Sequence, residues 1–121
     1  MQYMLLIYDD EGMLRSMPDD ERNTLMSEYY AYTEALKAAG KYVAGDALQP
    51  TGTAKSLRVR DGDVSTTDGP FAETKEALGG YYLVEVDSED EALEWAAKIP
   101  SARLGTIEVR PIVVFPVEST A

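Results

Sequence analysis

The chain has 121 residues, 45% of them hydrophobic, with no cysteine, no histidine and a formal net charge of −11. This length sets the expectation of one domain over residues 1–121 with a single core, and the apolar content excludes an intrinsically disordered chain. The acidic balance argues against nucleic acid and anionic membrane surfaces as partners, while the missing cysteines remove disulfides and thiolate metal sites.

Gln2 to Tyr8 reads as a strand, apolar on both alternation sets: Met4 and Leu6 on one, Tyr3, Leu5 and Ile7 on the other. A strand of that kind is covered on both faces. Its apolar run is too short to cross a bilayer and no basic leader precedes it, so a cytoplasmic protein is expected. An acidic, glycine-containing loop is expected at Asp9-Asp10-Glu11-Gly12, and then a helix starting near Ser16 and Pro18. Asp19, Asp20 and Glu21 put negative charge at its positive end. Leu25, Tyr29, Tyr32 or Thr33, and Leu36 recur at helical spacing, and Gly40 supplies the stop.

Tyr42 to Leu48 forms the second predicted strand, ended by Gln49-Pro50-Thr51-Gly52. A hairpin follows, with Leu57–Arg60 and Asp63–Thr66 flanking Asp61-Gly62, the pair that suits a type I′ turn. Its register sets Val59 opposite Val64 on one face and Arg58 opposite Ser65 on the other. Gly80 to Val86 is the third main strand, again apolar on both faces. Ser88-Glu89-Asp90-Glu91 is a capping box for a second helix, with Ala92, Trp95 or Ala96, and Ile99 as its buried stripe and Pro100 as its end. Thr106 to Phe115 is the last strand, and Pro111, which has no N–H to donate, assigns it to a sheet edge.

The order β-α-β-(hairpin)-β-α-β predicts an α+β, ferredoxin-like antiparallel sheet with two helices on one face. Its usual strand order puts the first and third main strands in the centre, in agreement with their apolar faces. Two helices cover only one face, so the other needs a partner. A second copy of the chain packed sheet to sheet, a homodimer of the dimeric α/β barrel kind, is the expectation.

Asp68-Gly69-Pro70-Phe71-Ala72-Glu73-Thr74-Lys75-Glu76, followed by Leu78-Gly79-Gly80-Tyr81-Tyr82, resembles the signature of the DGPF (YCII-related) family. Tyr3–Tyr8, Ala39-Gly40 through Gly45–Pro50, Glu91–Ala96, Pro100 and Glu108–Pro111 resemble its other blocks in the same order. The resemblance implies a dimeric α/β barrel but no reaction. One branch of the wider family has a His-Asp pair proposed as an active site, and with no histidine here that pair does not carry over. The family's association with sigma-factor genes implies a regulatory role as an alternative.

Without histidine, any chemistry runs on Asp, Glu, Lys, Tyr and Arg. Asp68 is either the acceptor of an Asx turn or a general base held at the rim of the sheet. Glu73 and Lys75 share one side of an extended segment, either as a solvated ion pair or as groups that hold an anion and move a proton. Asp68, Glu73 and Lys75 are thus the catalytic candidates. Asp46, Phe71, Tyr81 and Arg110 are the candidates for substrate binding, although Phe71 also reads as an anchor for the loop. Glu108 and Arg110 face away from Ile107 and Val109, either as an intersubunit salt bridge or as part of a cleft. Metal spacings, phosphate-binding glycine patterns and nucleotide fingerprints are absent, so no cofactor and no metal are expected, and Gly79-Gly80 reads as a close-approach kink. The function expected is binding of a small molecule in a cleft beside the Asp68–Glu76 loop, with cofactor-free acid–base chemistry of isomerase or lyase type. The alternative is a non-catalytic interaction module.

Overall fold

A computed structural model describes residues 1–116. Four strands, β1 (Gln2–Asp9), β2 (Tyr42–Ala47), β5 (Ala77–Glu85) and β6 (Thr106–Pro111), form one sheet in the order β2-β5-β1-β6. All three pairings are antiparallel. The two strands read as apolar on both faces are the central ones, and the strand carrying Pro111 lies at an edge, as the sequence predicts. The remaining strands, β3 (Lys55–Arg60) and β4 (Asp63–Asp68), form a separate hairpin with Val59 opposite Val64 and Arg58 opposite Ser65. Asp61 and Gly62 both take positive φ, 51° and 82°, as a type I′ turn requires.

Helices α2 (Asp19–Ala38) and α3 (Glu89–Ala97) cover the face of the sheet that carries Tyr3, Leu5, Ile7, Tyr82 and Val84. Leu36 from α2 and Ala92 and Ala96 from α3 complete the core, together with Ile99 just beyond α3. Ile107 and Val109 of β6 pack against it from the edge, so Glu108 and Arg110 do face the opposite side. Two tyrosines and a tryptophan organise the layer between helices and sheet. Tyr32 meets Tyr82 and Trp95 edge-on, with ring centroids 5.1 and 6.0 Å away, and its hydroxyl donates to the Trp95 carbonyl at 2.8 Å. The hydroxyls of Tyr82 and Thr33 share a 2.7 Å hydrogen bond, so both of these phenols have a polar partner. At the start of α3 the Ser88 side chain accepts from Glu91 N–H, and Glu91 reaches back to Asp87 N–H and to Lys41.

Three expectations need correction. The acidic segment after β1 is not a loop: Asp10 accepts from Met13 N–H and caps a short helix, α1 (Glu11–Arg15). β5 begins at Ala77 rather than Gly80, because a bulge at Gly79 lets its pairing with β1 run on to Asp9. β6 ends at Pro111 rather than Phe115, because β1, its neighbour, starts at Gln2 and offers nothing further to pair with.

The core and the hairpin differ sharply in burial: Leu5 is 0% exposed and Leu57 61%. Leu5→Ala is therefore expected to cost about 3 kcal/mol in urea unfolding. Leu57→Ala should stay within about 0.5 kcal/mol of wild type.

Candidate functional site

The inward row of β1 ends in a carboxylate. Tyr3, Leu5, Ile7 and Asp9 all point to the helices, and Asp9 is only 9% exposed. Its Oδ1 atom is fully buried and has no hydrogen-bond partner among the described residues. Burial pushes the Asp9 carboxyl above its ordinary value, the nearby Ser101 hydroxyl works the other way, and the negative charge of Glu76 adds to the rise.

Asp9 closes one end of a pocket of about 370 Å³ between α2 and the β2–β5 side of the sheet. Its walls are mainly apolar or aromatic: Leu14 of α1, Leu25, Met26 and Tyr29 of α2, and Tyr42 and Tyr82 of the sheet. Gly45, Gly79 and Gly80 leave stretches of strand without side chains. Tyr29 donates to the buried Ser101 hydroxyl at 2.6 Å, and burial first, with the Asp9 charge as a smaller contribution, raises its pKa to about 12. Tyr29 thus stays a neutral donor. A few placed polar groups in an apolar cavity of this size form the usual plan of a small-molecule site.

Helix α1 roofs the pocket through Leu14 and is held by polar ties. Glu11 accepts from Thr51 N–H at 2.8 Å and from its hydroxyl at 2.6 Å, and these bonds hold the Glu11 carboxyl below its usual range. Arg22 donates to the carbonyls of Leu14, Arg15 and Met17 at 3.0 to 3.2 Å, fixing the turn between α1 and α2.

The residues named from sequence are scattered around this pocket. Asp68 is exposed at the end of β4 and pairs with Lys55; its carboxylate does not form the expected Asx turn, which is held instead by Gly69 N–H on the Ala54 carbonyl at 2.7 Å. Glu73 and Lys75 are exposed and line a second, more polar cleft of about 850 Å³, together with Arg15, Lys55 and Thr51. Phe71 lines the same cleft and is 84% exposed, so within this chain it does not anchor the loop as expected. Asp46 accepts from the Tyr81 hydroxyl at 2.8 Å, and both border the Asp9 pocket at the sheet edge. Arg110 lies on the uncovered face beside Glu108, whose carboxylate accepts from Tyr8 at 3.3 Å. Sequence reading passed over Asp9, Tyr29 and Ser101. The usable signal was the alternation Tyr3, Leu5, Ile7, Asp9, which puts a carboxylate on a buried row.

The described residues contain no group of His, Cys, Asp or Glu side chains that could hold a metal ion. No helix among them is long and apolar enough to cross a membrane.

A split β-α-β arrangement with an antiparallel sheet and helices on one face defines an α+β protein of the ferredoxin-like class. Within that class the chain belongs to the family of the YCII-related domain, which matches residues 1–116. It is similar to an uncharacterized protein of Rhizobium meliloti (strain 1021), 38% identical over 117 residues that cover 95% of this chain and 94% of that one. Its fold is similar to that of 5-chloro-2-hydroxyhydroquinone dehydrochlorinase (TftG) from Burkholderia phenoliruptrix AC1100, solved in complex with 2,5-dihydroxybenzoquinone. That likeness has a TM-score of 0.55 and 21% identity over 93% of this chain and 94% of the other.

The raised carboxyl has a definite consequence for stability. A native carboxyl that holds its proton more tightly than the unfolded chain contributes stability that is complete below the ordinary value of 3.8 and lost as pH rises through the folded value. Asp9→Asn removes that loss. In thermal melts the advantage of Asp9→Asn over wild type is expected to grow from pH 4 to pH 8; a constant difference would count against a strained carboxyl.

Proposed function

We propose that this protein binds a small, mostly apolar molecule in the Asp9 pocket, with a hydroxyl or similar donor group of that molecule against the Asp9 carboxyl. The observation that carries the reading is the buried carboxyl itself, which lines an apolar cavity and whose buried Oδ1 lacks a partner among the described residues. An unsatisfied buried polar group costs about 1–3 kcal/mol and persists where it serves a purpose. Burial raises the proton affinity of the Asp9 carboxyl above its ordinary value, which suits cofactor-free acid–base chemistry with Asp9 as donor or acceptor. Tyr29 and Ser101 add neutral hydroxyls beside it. The structural neighbour is solved with a hydroxylated quinone, a small flat ring that carries hydroxyl groups.

A second reading places the ligand in the polar cleft beside the Asp68–Glu76 loop. The observation in its favour is that Arg15 and Lys75 line it, with Lys55 paired to Asp68 and with Asp10, Glu11 and Glu73 on the same walls, in a chain whose summed charge is −11. Those cations suit an anionic ligand. Titration of the ¹⁵N-labelled protein with a panel of hydroxylated ring compounds and of small carboxylates separates the two. Shifts clustered at Asp9, Gly79 and Tyr82 that disappear in Asp9→Ala support the first reading. Shifts at Arg15 and Lys75 that disappear in Lys75→Ala support the second.

The other half of the reading concerns the uncovered face of the sheet, for which a second copy of this chain is the proposed cover. Met4, Leu6, Tyr8, Tyr81 and Leu83 are half-buried there, with the exposed pair Glu108 and Arg110 on β6. A two-fold axis crossing β6 near Val109 would set Glu108 against Arg110 of the partner subunit, a pairing that would make the surface complementary to itself. Sedimentation at micromolar concentration should give twice the 13.3 kDa chain mass, shifting toward the single chain in Glu108→Arg. A single-chain species in wild type would remove the proposal.

A further inference from the structure

We infer that the bulge at Gly79 is the specificity-determining element of the Asp9 pocket, keeping the carboxylate reachable and selecting a flat ring as the ligand. The inference rests on the Asp9 pocket being the binding site. Between Ile7↔Gly80 and Tyr8↔Leu78 the β1–β5 register shifts, which leaves Gly79 as the extra residue of the bulge. Bulges re-aim side chains and collect beside functional sites. Here the bulge brings bare backbone alongside the Asp9 carboxylate: a Cβ added at Gly79 would lie 3.2 Å from Asp9 Oδ2.

The other glycines near the site are needed for different reasons. A Cβ at Gly80 would lie 2.9 Å from the Asp46 carbonyl oxygen, and one at Gly105 would lie 2.1 Å from that of Tyr8. Both are required by the backbone. At Gly45 a Cβ would come within 2.8 Å of the Tyr82 ring, so this glycine makes room for a core side chain. A Cβ at Gly105 would also come within 3.3 Å of Asp9 Oδ1, but it meets backbone first; at Gly79 the Asp9 carboxylate is the nearest contact, with the next, the Ile7 carbonyl oxygen, at 4.0 Å. Its φ lies outside the left-handed region, so nothing in the backbone demands glycine there. The missing side chain is accounted for by the space it leaves beside Asp9.

That space has a shape. Gly79 and Gly80 leave the end of β5 beside Asp9 with no side chains, while Tyr29, Leu25 and Met26 of α2 stand on the other side. A flat ring lies against peptide planes along its whole face, and a substituent in the plane of that ring then reaches the carboxylate. A puckered ring of the same size stands off those planes.

Benzyl alcohol and cyclohexylmethanol carry the same hydroxymethyl group on a flat and a puckered six-membered ring, and they make the test. In ¹H–¹⁵N titrations, wild type should bind benzyl alcohol on the order of tenfold more tightly than cyclohexylmethanol. Gly79→Ala should weaken benzyl alcohol on the order of tenfold and erase the preference. Asp9→Ala should weaken both alcohols, and adding Gly79→Ala to it should weaken them no further, because the methyl then shields nothing. Wild-type affinity and preference in Gly79→Ala, alongside lost binding in Asp9→Ala, would overturn the inference and leave the pocket standing. Equal binding of the two alcohols by wild type would overturn it without any variant. Failure of both alcohols to bind wild type, or full binding in Asp9→Ala, would remove the pocket reading and the inference with it.

Discussion

Everything in this molecule turns on the inward row of β1. Leu5 is wholly buried, Tyr3 and Ile7 nearly so, and each fully buried side chain of this size contributes about 2 kcal/mol. That row fixes which face of the sheet the helices cover, and through pairing with β5 and β6 it fixes which faces of those strands join it. The alternation then carries one residue too far for comfort and buries Asp9. The apolar residues before it hold the strand in place, so the carboxylate goes where the packing takes it. Its raised proton affinity follows from the same packing that stabilises the fold.

The fold was legible because its signals are local and redundant. Asp61-Gly62 demands positive φ twice, Ser88 and Glu91 declare a helix start, and Pro111 cannot sit inside a ladder; the structure shows all three. What escaped was set by tertiary context. Asp10 caps α1 in a stretch whose composition reads as loop, and the helix is held by Glu11 on Thr51 and by Arg22, partners that spacing does not reveal. The candidate site escaped for a related reason. The Asp68–Glu76 segment drew attention by its density of charged residues, and Asp68, Glu73 and Lys75 are exposed. Asp9 stood unremarked among four consecutive polar or glycine residues. It differs from its neighbours only in the face to which the strand turns it.

The absence of histidine takes on a different meaning beside this geometry. Burial holds the Asp9 carboxyl above its ordinary value, so a chain without histidine still carries an acid whose proton affinity the fold has shifted. Membership of the YCII-related family, whose curated relative here is itself uncharacterized, leaves the reaction open and the pocket as the place to look. The signature loop then reads as a flank: it lines a polar cleft, while the glycines that follow it shape the end of the pocket.

The chain's single tryptophan occupies a telling position. Trp95 lies on α3 with the Tyr32 ring of α2 at 6.0 Å on one side and the Lys98 ammonium 4.9 Å from its ring on the other. Tyr32 in turn touches Tyr82, the aromatic wall of the pocket. Light absorbed by these tyrosines passes to one indole at van der Waals range, giving the protein an intrinsic fluorophore wired from the sheet to the outer helix. Emission from Trp95 is a direct optical readout of whether α2 and α3 are seated on the sheet. The β3–β4 hairpin, which contains no aromatic residue, is dark to that reporter, so its motions and those of the core separate in a single spectroscopic experiment.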